Sequence, residues 1–286
     1  MLIRRVANHE KLMKMRLLLF LFILNVSFGA FGLQPDRNYL VHPDSLGLDF
    51  EIHQIKSTNN ASLHSWVLNP MGEVNLNATI IMAYGDMGNM SYWLNHAAIL
   101  SQRGFTVVMF DYRGFGKSSD FKVNPNQLYY DEFSEDLFSV YHWTKNTIKN
   151  TKIGVWGLSM GTIMTGFLIK NGEPDFLILE GLVVEPKTIK KKIFEAKGKK
   201  IILPRSSKKL SKIFKTTLTP MLVFSGKQDK FTTSQDAKKI TDLKSNRKSI
   251  EFDGNHLEGF NSMTERYFGD QYINEIILFI NLNEDW

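Results

Sequence analysis

The chain has 286 residues, of which 43% are hydrophobic and 12% aromatic, and its formal net charge is +6. This length and composition suit one globular domain with a full apolar core and exclude a disordered or low-complexity chain. The sequence contains no cysteine, which excludes disulfides and a lipid-modified N-terminal cysteine.

Residues 1–32 are predicted to form a secretory signal peptide. The three parts of such a signal are a basic segment, an apolar run and small residues before the cleavage site, here Lys11 to Arg16, 17–24 and Ser27 to Gly32. A start at Met13 or Met15 would give a signal of more ordinary length. The prediction is a cysteine-free protein exported to a periplasm or secreted, and the alternative is an uncleaved helix that anchors it to the membrane.

The mature chain, 33–286, is predicted to form a single α/β domain. Alternating segments on both sides of a turn at 58–60 predict an antiparallel hairpin, Asp49 to Lys56 and Ser62 to Leu68. Short apolar segments then alternate with helical patterns; the predicted strands are 79–84, 106–110, 152–156, 176–179, 221–224 and 249–252, and a closing helix is 271–282. Such strands are typical of a mostly parallel sheet with helices on both faces.

A Gly-x-Ser-x-Gly motif, Gly157 to Gly161, joins the strand at 152–156 to a predicted helix at 161–170. The two glycines let strand and helix approach closely, and the sharp turn holds Ser159 in strained backbone angles with its hydroxyl exposed. Met160 N–H lies in the first helical turn, where free donors and the helix dipole favour a developing negative charge. The motif therefore predicts a nucleophilic serine and one oxyanion donor.

A nucleophilic serine needs a base and an acid that orients the base. His256 is the candidate base, since it is the one histidine of seven that follows a late strand at a glycine-rich turn. Asp229 is the candidate acid, because it follows an apolar strand. The chain order Ser159, Asp229, His256 is also the order in which serine, acid and histidine follow one another when the serine lies in a Gly-x-Ser-x-Gly turn. Asp253, close to the histidine in sequence, and Glu180, directly after another strand, remain alternative acids.

These motifs resemble the α/β-hydrolase superfamily and, within it, the Bem46-like group of serine hydrolases. The segments that carry the resemblance are Tyr84 to Asn89, Phe110 to Ser119, Gly157 to Gly161, Gly226 to Asp229 and Gly254 to His256. The resemblance implies that Asp86 N–H is the second oxyanion donor and that no cofactor is needed. It also keeps Glu180 open, because some members place their acid there.

The chain departs from the family pattern in two places. Tyr84 replaces the usual histidine, and Asp86 places a carboxylate on the residue that should donate to the oxyanion. A carboxylate there would oppose the developing charge unless it points away or is paired. The departures motivate an alternative in which the protein is a binding protein that kept the fold without useful turnover.

Other kinds of site are poorly supported. The segment Asp111 to Asp120 superficially resembles a phosphate loop, but it lacks the Gly-Lys-Ser/Thr ending in the required frame and is predicted to be a structural turn. No His, Asp or Glu cluster has the short spacing of a metal site. Nucleic acid is not a predicted partner, because the chain has no recognisable module that binds it.

A basic insertion is predicted between the strands at 176–179 and 221–224, forming a small helical cap at about 182–218. Within it, residues 187–215 hold eleven lysines and one arginine against the single acid Glu195, a net +11 that leaves −5 for the rest of the chain. The lysines are either an ordinary solvated face of two cap helices or a surface that attracts anionic acyl substrates or an acidic membrane.

Together these features predict a serine hydrolase that cleaves a carboxylic ester, or a thioester or amide, through an acyl-enzyme. The expected partner is a small-molecule or lipid-like acyl substrate. An acyltransferase or peptidase of the same fold is a further alternative. The scarcity of acids in the cap weakens the peptidase, because a peptide amine would need one.

Overall fold

A computed structural model describes residues 32–71, 74–149 and 151–282. The strands, in chain order, are β1 Gln34–Pro35, β2 Phe50–Lys56, β3 Ser62–Leu68, β4 Ala78–Ala83, β5 Met87–Gly88, β6 Thr106–Phe110, β7 Lys152–Leu158, β8 Phe176–Glu180, β9 Met221–Gly226 and β10 Arg247–Phe252. The helices are α1 Leu94–Gln102, α2 Tyr130–Thr147, α3 Met160–Leu168, α4 Pro186–Lys197, α5 Leu210–Thr216, α6 Ser234–Thr241, α7 Gly259–Ser262 and α8 Asp270–Asn281. Short 3₁₀ helices lie at Pro43–Leu46, Thr58–Asn60, Met90–Trp93 and Arg205–Lys209.

The main sheet of the described residues has eight strands in the order β10-β9-β8-β7-β4-β6-β3-β2. The six strands from β10 to β6 run parallel, and β3 runs antiparallel to both of its neighbours. The predicted hairpin is confirmed as β2 and β3, with Phe50 opposite Leu68 and Lys56 opposite Ser62. The predicted fold class, a mostly parallel α/β sheet with an N-terminal hairpin, is confirmed.

The central strands are continuous apolar segments because helices cover both faces of the sheet. All residues of β4, β8 and β9 are buried. Along β7, alternate residues point to opposite faces. Trp156 stacks on Phe260 of α7 at 5.2 Å, while a methyl group at Gly157 would meet Thr165 of α3 on the other face.

Element ends differ from the predicted ones by one or two residues. Strand β10 begins at Arg247, two residues before its predicted start, because it is an edge strand whose exposed polar residues hide the apolar pattern. Helix α3 begins at Met160 and ends at Leu168. The two-residue pair β1 and β5 was not predicted, since so short a strand has no periodic pattern.

Helix α4, the 3₁₀ helix at Arg205–Lys209 and helix α5 occupy the region predicted to form the cap. Helix α4 has a proline at its first position and ends at Gly198, which has φ 64°. Helix α5 packs on α3, where a methyl group at Gly166 would lie 2.4 Å from the Leu210 side chain. The cap is therefore seated on the helix that follows the serine turn.

The predicted signal peptide lies outside the described residues, except for Gly32. Among the helices of the described ranges, none combines the length and the apolar character needed to cross a membrane. Export remains a prediction from residues 1–32.

Candidate active site

Ser159 occupies the tight turn between β7 and α3. Its backbone has φ 53° and ψ −113°, and its N–H donates to the Glu180 carbonyl oxygen at 2.9 Å. A methyl group at Gly161 would lie 1.7 Å from the Ala83 carbonyl oxygen, and one at Gly157 would lie 2.7 Å from Thr165 Oγ1. The two glycines are thus required by the close approach of helix and strands that holds the serine in a left-handed conformation.

His256 lies in the loop after β10 and reaches the serine. Its Nε2 is 2.9 Å from Ser159 Oγ. Gly181, with φ 66°, makes room for the imidazole, because a methyl group there would lie 2.6 Å from His256 Cε1. The next residue, Leu257, also has a positive φ of 59°. The imidazole is therefore positioned by two residues with positive φ, Gly181 and Leu257, besides the serine itself.

Asp229 lies after β9 and holds the other side of the imidazole. Its Oδ2 is 2.7 Å from His256 Nδ1. Its Oδ1 accepts hydrogen bonds from Phe231 N at 2.8 Å and Thr232 N at 3.0 Å, and the Thr232 hydroxyl donates to Oδ2. The carboxylate is buried and receives four hydrogen bonds, so its orientation is fixed from several directions.

The electrostatics of this pair favour a base that faces the serine. Burial opposes ionisation of Asp229, but hydrogen bonds from His256 and Thr232 outweigh it and lower the pKa of the carboxyl. Burial also opposes protonation of His256, but Asp229, with help from Glu180 and Asp86, outweighs it and raises the pKa of the imidazole. With Nδ1–H donated to Asp229, Nε2 is left as an acceptor for the serine proton.

The two alternative acids lie in different surroundings. Asp253 is exposed, and its Oδ1 accepts from Gln228 Nε2 at 3.0 Å. Glu180 is buried, and its Oε1 accepts from Gly259 N at 2.8 Å. Burial raises the pKa of Glu180 to about 7. The side chain that the structure places on His256 Nδ1 is thus Asp229, whereas Glu180 supports the backbone on both sides of the site.

The two candidate oxyanion donors belong to segments that adjoin the serine. Met160 is the first residue of α3, so its N–H belongs to the turn that lacks intrahelical acceptors. The loop that carries Asp86 comes close to the same point, since a methyl group at Gly85 would lie 3.7 Å from Ser159 Cβ. The arrangement is compatible with an oxyanion between the two N–H groups.

The Asp86 carboxylate is held by the segment that leads into β1. Gly32 N donates to Asp86 Oδ2 at 3.1 Å, and Gln34 N donates to the Asp86 carbonyl oxygen at 2.8 Å. Burial raises the pKa of Asp86, while Gly32 N–H, the aspartate's own N–H and the charges of His256 and Lys199 act to lower it. The carboxylate therefore has a partner in Gly32 N–H, although its charge stays on the residue proposed to donate to the oxyanion.

Tyr84, the other departure from the family pattern, has a structural partner. Its hydroxyl donates to Asp111 Oδ1 at 3.3 Å, and the same carboxylate accepts from Met90 N at 2.9 Å and Lys117 N at 3.2 Å. Gly116 has φ 44°, and a methyl group there would overlap Asp111 Oδ2 at 1.8 Å. The glycine-rich segment is confirmed as a structural turn, because its interior is filled by its own carboxylate.

Sequence reasoning missed three contributors to the site. Thr232 could have been found, because an aspartate in a turn accepts from the backbone N–H two residues on, as Asp229 does from Phe231, and this brings the following residue close to its carboxylate. Gly32 and Lys199 gave no usable signal, since one lies in an irregular segment and the other among many lysines. Among the described side chains, no group of three His, Asp or Glu is arranged to hold a metal ion.

Comparison with known proteins places the chain in a family. Residues 78–171 match the family model described as "alpha/beta hydrolase fold". The chain is 30% identical over 209 residues to the "Uncharacterized protein YfhR" of Escherichia coli (strain K12), covering 71% of this chain and 70% of that protein. It is 34% identical over 87 residues to the "Lysophosphatidylserine lipase ABHD12" of Danio rerio, covering 29% of this chain and 21% of that protein.

The structure is similar to that of the Pyrococcus furiosus esterase Pf2001, with a TM-score of 0.70 and 18% identity over 89% of this chain and 99% of the esterase. At that identity the likeness shows the fold alone. The narrower Bem46-like assignment stays a prediction. The family model and the YfhR match show that the chain belongs to the α/β-hydrolase superfamily, so hydrolysis is the class of reaction to consider.

Proposed function

We propose that this protein is a serine hydrolase that cleaves a carboxylic ester through an acyl-enzyme intermediate. The observation that carries the proposal is one continuous chain of contacts at the carboxyl ends of three parallel strands. Ser159 Oγ lies 2.9 Å from His256 Nε2, and His256 Nδ1 lies 2.7 Å from Asp229 Oδ2. A nucleophile, a base and an orienting acid in this order form the arrangement that activates a serine.

In the first half of the proposed reaction, Ser159 Oγ attacks the acyl carbon while His256 Nε2 accepts the hydroxyl proton. Asp229 stabilises the imidazolium that forms, and the N–H groups of Met160 and Asp86 receive the negative oxygen. The carbon–oxygen bond to the leaving alcohol then breaks, and His256 returns the proton to that alcohol. The acyl group remains bonded to Ser159.

In the second half, water takes the place of the alcohol. His256 accepts a proton from the water as it attacks the acyl carbon, and the same two N–H groups receive the second oxyanion. The bond to Ser159 Oγ breaks, His256 protonates the serine, and the carboxylic acid leaves. No cofactor is needed for any of these steps.

The expected substrate is an acyl ester that is small or lipid-like. The partial match to a protein named as a lysophosphatidylserine lipase favours an ester over an amide. A thioester would follow the same steps with a better leaving group.

One observation favours a second candidate, a binding protein with little or no turnover. Asp86 places a carboxylate on the residue whose N–H would receive the oxyanion, and its charge would oppose the negative charge that must develop there. The intact contacts among Ser159, His256 and Asp229 weigh against this alternative.

The test is labelling with a fluorophosphonate, which reacts with activated serines, on a chain that begins at Ala30 and keeps the Gly32 contact. We expect labelling of the wild type and its loss in Ser159→Ala and His256→Ala. Nitrophenyl esters of increasing chain length then measure the acyl preference. A folded wild type that is not labelled would favour the binding protein, and labelling that persists in Ser159→Ala would reject this nucleophile.

A further inference from the structure

The cap exposes two apolar side chains in the same stretch of chain as several exposed lysines. Phe194, on α4, is 50% exposed, and Ile202, in the segment after α4, is 55% exposed. Five lysines on α4 and just after it are also exposed: Lys187, Lys190, Lys191, Lys197 and Lys200. We call these seven residues the basic-apolar surface.

An ordinary solvated lysine face does not account for Phe194. The apolar side of α4 already packs on the protein, since Ile193 is buried and Ile189 packs against the core. Phe194 instead has Lys190 and Lys191 four and three residues before it, positions that share its side of the helix. The ring is therefore exposed on a side of the helix that carries both lysines, of which Lys191 also lies 3.7 Å from the Glu195 carboxylate.

Ile202 is exposed although its backbone is firmly held. Its N–H donates to the Asn126 carbonyl oxygen at 2.7 Å, and its carbonyl oxygen accepts from Leu128 N at 3.1 Å. The neighbouring Ile201 is buried. The exposure of Ile202 is thus fixed by the bridge between this segment and the chain before α2.

The cap also contacts both sides of the candidate active site. Lys192 Nζ donates to the Phe231 carbonyl oxygen at 2.6 Å, within the turn that holds Asp229, and lies 3.8 Å from Asp236 Oδ2. Farther along the cap, Lys199 lies close enough to Asp86 for its charge to lower the pKa of that carboxyl. The cap therefore adjoins the loops that carry Asp229 and Asp86.

We propose that the basic-apolar surface docks on an anionic lipid bilayer. Lysines attract anionic headgroups, and an aromatic or aliphatic side chain near them can enter the interfacial layer of the bilayer. Charge complementarity favours this partner, because a net +11 is concentrated in residues 187–215 of a chain whose remainder is negative. Docking would present lipid-borne acyl esters to Ser159, a consequence that rests on the proposed function.

The test uses the full chain from Ala30 with Ser159→Ala, so that binding is measured without turnover. It measures co-sedimentation with phosphatidylcholine vesicles with and without phosphatidylglycerol. We expect binding only when phosphatidylglycerol is present and loss of binding at high salt. Lys187→Gln, Lys190→Gln and Lys191→Gln together should weaken binding on the order of a hundredfold, about fivefold for each charge.

Matched controls separate this surface from net charge and from general hydrophobicity. Lys122→Gln, Lys149→Gln and Lys170→Gln together remove the same charge from exposed positions elsewhere, and Ile52→Gln removes another exposed apolar side chain, 51% exposed. We expect both controls to bind vesicles as the parent does. Phe194→Gln with Ile202→Gln should weaken binding at least tenfold while the lysines remain.

Three outcomes would overturn the proposal. They are equal binding to neutral vesicles, equal weakening by the control lysines, and unchanged binding after the Phe194 and Ile202 substitutions. If the Phe194 and Ile202 substitutions leave binding unchanged and the protein binds double-stranded DNA as tightly as anionic vesicles, the surface attracts any polyanion. Because the protein tested cannot turn over, its failure to bind says nothing about hydrolysis, and fluorophosphonate labelling of the parent tests that separately.

Discussion

Two loops beside Ser159 are built in contrasting ways. The loop after β9 keeps the family pattern and supports Asp229 from within, through the N–H groups of Phe231 and Thr232 and the Thr232 hydroxyl. The loop after β4 departs from the pattern and is held by distant segments, with Gly32 and Gln34 bonded to Asp86. A functional group supported locally can be recognised from its motif, whereas one supported from a distance can be recognised only in the folded chain.

The largest expected effect comes from breaking the locally supported loop. Asp229→Asn should lower kcat by about three to four orders of magnitude, because the amide favours the wrong imidazole tautomer and cannot stabilise the imidazolium. The measurement is steady-state hydrolysis of a nitrophenyl ester, with the melting temperature to confirm folding. Asp253→Asn is the matched control on an exposed carboxylate and should keep parental kcat. Equal losses in both variants would contradict the assignment of the acid.

One of the hydrogen bonds that hold the loop after β4 from a distant part of the chain can be removed by a single substitution. Gln34→Pro removes the N–H that donates to the Asp86 carbonyl oxygen at 2.8 Å, and we expect it to lower kcat about tenfold with a smaller change in KM, because one oxyanion donor is less well positioned. Gln34→Ala keeps the N–H and is the control, since the Gln34 side chain is exposed. Similar kcat values for the two variants would mean that this strand pairing does not position Asp86.

The same contrast decides what could be predicted from the sequence. Ser159, Asp229 and His256 each follow an apolar strand, and parallel strands bring their carboxyl ends to one edge, so their proximity could be inferred from order alone. The partners of Tyr84 and Asp86 could not. Tyr84 and Asp111 follow neighbouring strands, β4 and β6, and Gly32 donates to Asp86 from 54 residues away. Neither contact is indicated by periodicity or by turn residues in the sequence. The sharp turns were predictable, but the contacts that compensate for an unusual residue were not.

Replacing Asp86 by a neutral residue should change the pH dependence of activity. The charge of Asp86 helps to raise the pKa of His256, and activity needs the neutral imidazole. Asp86→Asn should therefore lower that pKa and move the acid limb of kcat/KM to lower pH. It should also raise kcat about three- to tenfold at neutral pH, since the uncharged amide does not oppose the charge of the oxyanion. The pH dependence of ester hydrolysis measures both effects, and an acid limb that stays in place would mean that the carboxylate does not influence the base.

Glu180→Gln should have the smallest effect on catalysis and a distinct effect on stability. Burial raises the pKa of Glu180 from 4.5 to about 7 in the folded protein, so the native state holds this proton more tightly than the unfolded chain. Its stabilising contribution is therefore complete below about 4.5 and is lost as the pH rises towards 7, on the order of 1 to 3 kcal/mol. Glutamine cannot ionise and can still accept from Gly259 N, so the melting temperature of the variant should fall less between these pH values.

Activity measured on the same protein separates Glu180 from Asp229. Because the Glu180 carboxylate helps to raise the pKa of His256, its replacement should move the acid limb slightly downwards while kcat stays within about threefold of the parent. A loss of kcat comparable to that of Asp229→Asn would instead make Glu180 the acid that orients the imidazole. A melting temperature with unchanged pH dependence would mean that the carboxyl does not titrate between 4.5 and 7 in the native state. Since Ser159 N donates to the Glu180 carbonyl oxygen and Gly259 N to its side chain, such a carboxyl would act only through its hydrogen bonds.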